Sequence, residues 1–128
     1  MNRLASRLRI LVAAATVAGL ATACFTPSVP LPPPLIENMT FTPGTAAKSV
    51  VLSSPPEASI GAARFSVFNV SQGVGVIIES AADGSFTTPP FPGVEGDYID
   101  IYYERGTDTS DRCTTLHVNA KLIGSSCH

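Results

Sequence analysis

From Ile36 to His128 no segment shows a convincing helical 3.6-residue apolar period, while apolar alternation at every second position recurs. That one property directs the chain toward strands. Tyr98 to Glu104 is the clearest case: Ile99, Ile101 and Tyr103 fall on one face, and Tyr98, Asp100 and Tyr102 on the other. Further strands are expected over Ile36–Thr42, Lys48–Ser53, Arg64–Val70, Val74–Ser80, Ser85–Thr88 and Arg112–Leu122, where Leu116 and Val118 face inward. Punctuation supports these limits. Pro43-Gly44 and Pro55-Pro56 end two of them, and Asp83-Gly84 is a hairpin signal because Gly takes positive φ freely. Pro89 to Asp97 reads as a long loop, and Arg105 to Asp111 as a turn. The expected fold class is all-β, a sandwich or small barrel of about seven strands.

The residues before Ile36 follow different rules. Arg3, Arg7 and Arg9 precede an uncharged apolar run, Ile10 to Ala21, of 12 residues. As a helix this run reaches only ~18 Å, short of a ~30 Å hydrocarbon core, so a secretory signal fits it better than a membrane span. Residues 1–23 are therefore expected to be removed. Phe25 to Leu35 holds Pro27, Pro30, Pro32, Pro33 and Pro34, which fix φ and remove N–H donors. An extended polyproline linker over 24–35 is expected, reaching about 34 Å over eleven residues, with the β domain over 36–128.

Leu20-Ala21-Thr22-Ala23-Cys24 resembles the lipobox of bacterial lipoproteins. The resemblance implies cleavage before Cys24, a diacylglyceryl group on its thiol, and attachment to a membrane through lipid on Cys24. Ala21 stands where Leu is commonest in that family. An ordinary signal cut after Ala21-Thr22-Ala23 would instead leave Cys24 a free thiol. Phe25 follows the cysteine. The Asp that tends to hold such proteins in the inner membrane of Gram-negative cells is absent, which implies the outer membrane where there is one.

Cysteine counting agrees with lipid on Cys24. Three cysteines in an exported chain leave one over. With Cys24 acylated, Cys113 and Cys127 remain to form a disulfide in an oxidising compartment. The alternatives are two reduced thiols or a bridge between molecules. Removal of the signal also changes the charge. The remainder keeps Lys48, Arg64, Arg105, Arg112 and Lys121 against ten acids, a net charge of −5. That argues against nucleic acid and against electrostatic docking on anionic lipid, so attachment falls to acyl chains, at about 0.8 kcal/mol per buried CH₂.

Val67-Phe68-Asn69-Val70, Ala81-Ala82-Asp83-Gly84-Ser85-Phe86 and Gly96-Asp97-Tyr98-Ile99-Asp100-Ile101-Tyr102 together resemble the immunoglobulin-like modules of bacterial surface proteins. The resemblance covers Arg64 to Val118 and implies an immunoglobulin-like β-sandwich that serves as a spacer, adhesion unit or assembly part. The single copy and the C-terminal cysteine pair depart from that family's pattern.

Chemistry is sparse. Gly-x-Ser-x-Gly, Walker and dinucleotide glycine motifs are absent, and His117 and His128 have no marked partners, so no enzyme activity and no cofactor are expected. Asp97, Asp108 and Asp111 form a weak calcium alternative within an acidic stretch that otherwise reads as a solvated face. Zinc on His117 would need thiolates that a disulfide removes. Asn38-Met39-Thr40 and Asn69-Val70-Ser71 match the glycosylation triplet as short motifs do by chance. Tyr98 and Tyr102 are the candidate binding surface, since exposed Tyr is enriched where proteins meet partners. A protein or glycan of the envelope is the expected partner. A structural subunit of an envelope or secretion assembly is the alternative, and a small periplasmic enzyme or ligand carrier the third.

Overall fold

The computed structural model describes residues 29–118 and 120–128, with the main chain alone at Val118. The signal segment, Cys24, the first part of the linker and the inward placement of Val118 lie outside the described residues.

Among the described residues ten strands follow one another: β1 (Thr40–Pro43), β2 (Ser49–Ser54), β3 (Arg64–Asn69), β4 (Val74–Glu79), β5 (Phe86–Thr87), β6 (Phe91–Pro92), β7 (Tyr98–Arg105), β8 (Asp108–Thr109), β9 (Cys113–Val118) and β10 (Lys121–Cys127). Seven of them have four or more residues. They pair antiparallel in the order β4-β3-β7-β9-β10-β1-β2-β5, with β6 added to β2 and β8 to β7. The β1–β10 junction is thin. One register pair, Thr40 with Lys121, and the bond from Phe41 N to the Ala120 carbonyl (2.9 Å) join the two halves. The ladder folds over there. Phe65 of β3 comes to lie 4.4 Å from Phe86 of β5, ring centre to ring centre. The fold is thus all-β and sandwich-like, and it approaches a barrel because one ladder runs through both layers.

Period-two alternation builds the core. Phe65 and Val67 of β3, Ile99, Ile101 and Tyr103 of β7, and Leu52 of β2 are buried between the layers. Tyr103 stacks on Phe65 at 5.2 Å and donates its hydroxyl to the Pro32 carbonyl (2.7 Å). Burial holds the phenol above its usual pKa. Leu31, Pro34 and Ile36 are buried as well. The packed body therefore begins by Leu31, and the polyproline spacer does not run on to residue 35.

Several local expectations are corrected. Ile36–Asn38 is a single 3-10 turn, closed from Met39 N to the Ile36 carbonyl (3.1 Å), and the strand starts only at Thr40. The turn puts Ile36 and Met39, three apart, on the same buried side. The Asp83-Gly84 turn forms, with Gly84 at φ +85, but it closes no hairpin. β4 and β5 are the two ends of the ladder, and β5 pairs with β2. The strand expected over Arg112–Leu122 is a hairpin instead, β9 and β10. Its buried face is Cys113, Thr115 and His117, not Leu116, because β9 is registered on β7 with Ile101 opposite Cys113 and Ile99 opposite Thr115. The long loop contains β6, whose Phe91 is buried opposite Val50.

Cys113 and Cys127 are directly opposite each other across β9 and β10 and are joined by a disulfide, their Cα atoms 4.0 Å apart. The Thr115 hydroxyl, on the same buried face, is without a hydrogen-bond partner among the described residues. A buried unpaired hydroxyl costs free energy that an apolar isostere does not. Thr115→Val is expected to stabilise the domain by about 1 kcal/mol, read from the denaturant midpoint.

Candidate functional site

The solvent face of the β4-β3-β7-β9-β10 layer gathers the side chains that alternation turns away from the core. Register sets three rows. Ile77, Ser66 and Tyr102 form one, Gly75, Phe68, Asp100 and Thr114 the next, and Tyr98, Leu116 and Ile123 the third. Phe68, Ile77, Tyr98 and Ile123 are large, apolar or aromatic, and exposed. Gly75 is what lets Phe68 lie flat across β4. A Cβ at that position would stand 2.8 Å from both the Phe68 ring and the Val67 carbonyl. With Ser66 and Gly75 as floor and Phe68, Ile77 and Tyr102 as walls, the face holds an open groove of about 430 Å³.

One cation is fixed at its rim. The Arg112 guanidinium lies 5.0 Å from the centre of the Tyr102 ring and 3.8 Å from Asp100 Oδ2. Asp100 is held independently by the Thr114 hydroxyl, which donates to Oδ1 at 2.7 Å. Arg112 keeps half of its side chain in solvent (53 %). Its main chain is pinned by reciprocal bonds with His128, 3.1 and 3.0 Å.

Of the two expected tyrosines, Tyr98 stands out from the sheet (54 % exposed), whereas Tyr102 is half-buried, with Arg112 over its ring. Sequence reading missed Phe68, Ile77 and Arg112. The signal for the first two was present: both are apolar at positions where alternation puts the side chain outside.

Asp97 belongs to a different place. It sits just before β7, buried, and accepts from Asn69 Nδ2 (2.8 Å), Val94 N (2.9 Å) and, at longer range, Gln72 Nε2 (3.3 and 3.4 Å). Desolvation is the largest single influence on the carboxyl and pushes its pKa up. The bonds from Asn69, Val94 and Gln72, with His117 nearby, together outweigh it and hold the pKa below the usual carboxylate value. Asp108 pairs with Arg105 in register at the far end of β7, about 25 Å along the strand, and Asp111 is exposed beyond it. The three carboxylates of the calcium alternative do not converge. Among the described residues no group of three or more His, Cys, Asp or Glu is placed to share an ion.

His117 packs its ring 4.3 Å from Phe41 and sets Nδ1 at 3.2 Å from the Val94 carbonyl, which favours the tautomer with the proton on Nδ1. Its role in this arrangement is to close the β6–β7 loop. Among the described residues no helix is long and apolar enough to cross a membrane. No protein-family model, no curated protein and no solved structure matches the chain.

Proposed function

We propose that this protein is a lipid-anchored, non-catalytic surface lipoprotein that acts as an interaction module, docking through the solvent face of β4-β3-β7-β9-β10. The observation that carries the reading is the exposed apolar groove with a half-exposed arginine fixed at its rim. Aromatic side chains and arginine are the residue types enriched where proteins meet. Small soluble domains rarely leave Phe, Ile and Tyr together in water without a use for them. The lipobox-like Leu20-Ala21-Thr22-Ala23-Cys24, the leftover cysteine and the proline segment support export and anchoring. In this reading Cys24 carries the lipid, and the outer membrane is its place in a Gram-negative cell. The module is of the immunoglobulin-like kind. A protein partner is favoured over a glycan, because Arg112 covers the Tyr102 ring and leaves Tyr98, of the two tyrosines, as the one open for a sugar to stack on.

Two measurements test it. Cys24→Ala should move the protein from the membrane fraction to the soluble exported fraction, and the mature wild-type N-terminus should carry acyl mass on Cys24. Wild-type protein recovered without acyl mass would end the anchoring half. A photo-crosslinking residue in place of Ile77, in cells that make the protein, should give one discrete adduct. The same residue in place of Ala58, exposed in the β2–β3 turn, should give none. No adduct from position 77 would end the docking half.

A further inference from the structure

We infer that the partner on this face is a second copy of the same chain. The inference rests on the docking face proposed above and names its occupant. Charge distribution carries it. Alternation places Arg64, Arg112 and Lys121 on the face with Glu79, Asp100 and Glu104, three cations with three acids. The rest of the described chain has Lys48 and Arg105 against seven acids. An acidic protein repels its own copies nearly everywhere, and this balanced, apolar-centred face is where two copies meet without a like-charge cost.

The opposite charges on the face lie side by side. Register puts Arg64 between Glu79 and Glu104, and Arg112 beside Asp100. An isologous interface puts the same patch of both copies together, so each copy brings equal numbers of cations and acids to a shared apolar centre. A strongly basic or strongly acidic partner would find no matching excess of charge here.

Area sets the strength. Five strands at ~4.8 Å spacing, each about six residues long at ~3.3 Å, give a face of roughly 480 Å². Two such faces bury about 1,000 Å², the lower limit for a specific interface, so the dimer is weak and reversible in dilute solution. Holding both copies on one membrane raises their effective concentration and favours the pair there.

The test uses the full chain in cells that make it, as two differently tagged copies, one carrying a photo-crosslinking residue in place of Ile77. The expected adduct has twice the monomer mass and contains both tags. Phe68→Asp in both copies should lower its yield at least tenfold, and Arg112→Glu at least threefold. Phe68 and Arg112 are both exposed, so the melting temperature of each variant should stay close to wild type, which separates lost docking from lost folding. An adduct with a different protein overturns self-association and leaves the docking face standing. No adduct at all overturns both. Undiminished adduct yield in Phe68→Asp overturns the assignment of the interface to this face.

Discussion

Asp97→Ala is expected to destabilise the domain by about 3 kcal/mol, because it strands buried donors rather than removing a surface charge. The carboxylate is the common acceptor for the Asn69 amide and the Val94 main-chain N–H. Asn69 also donates to the Pro92 carbonyl (3.1 Å) and accepts from Gln72 N (3.1 Å), so one amide side chain ties the β3–β4 turn to the loop before β7. Without Asp97, two donors lose their partner, each at about 1–3 kcal/mol. Asp97→Asn keeps the shape and can leave its carbonyl oxygen at the Oδ2 position that Asn69 and Val94 share, but it turns its N–H toward Gln72 Nε2 and removes the charge, at a smaller expected cost of about 1–2 kcal/mol. The acid limb separates charge from shape. The folded carboxyl has a depressed pKa, so its contribution is fully present above the ordinary carboxylate value, near pH 4, and is lost as pH falls through the lower folded value. Wild type should therefore lose stability more steeply below about pH 4 than Asp97→Asn does. Denaturant melts at neutral pH and at a series of acid pH values read both effects. Equal acid slopes in the two proteins would refute the role given to the charge.

Strand identity was legible wherever one side of the sheet is buried, since alternation then records the environment directly. Ile99, Ile101 and Tyr103 are buried as their spacing requires, as are Phe65 and Val67. Legibility failed where the governing contact is distant in sequence. Nothing within Arg112–Leu122 says that residues 121–127 return along it, or that Thr115 and His117, two polar residues, take the buried side while Leu116 does not. That parity comes from the register on β7 and from Cys113, which must meet Cys127. The Asp83-Gly84 turn is encoded locally, by Asp83 accepting from Ser85 and by a glycine whose Cβ would collide with the Glu57 carbonyl. Which strands it separates is decided by the closure of the whole ladder. The make-up of the solvent face of β4-β3-β7-β9-β10 was half legible. Tyr98 and Tyr102 were marked by their residue type. Phe68 and Ile77 were not, because an apolar residue at a solvent position becomes informative only once the neighbouring strands bring others beside it.

Reduction of Cys113–Cys127 is expected to lower stability by about 3 kcal/mol, the loop-closure value for about 15 residues. For a domain near 100 residues each kcal/mol shifts the melting temperature by about 4–8 °C, so a loss of roughly 12–24 °C should be read on adding a thiol reductant. The β9–β10 hairpin does not make the bridge redundant, because the bridge acts by restricting the unfolded chain, where that hairpin is absent. The loss in the native state should be uneven. In β10 only Leu122 is buried, and the register shifts between Ile123 and Ser126, so the last strand has little beyond its ladder and the disulfide to hold it. Amide exchange should accelerate first at His128 and Arg112, which bond each other just beyond the bridge. Arg112 is also the cation stacked on Tyr102, so loosening this end should free its guanidinium from the rim of the groove and weaken docking along with stability. The Cys113→Ala/Cys127→Ala double variant should reproduce the reduced protein in melting temperature, in exchange at Arg112 and in crosslinking from position 77. Unchanged exchange at Arg112 in that variant would show that the bridge and the docking face are independent.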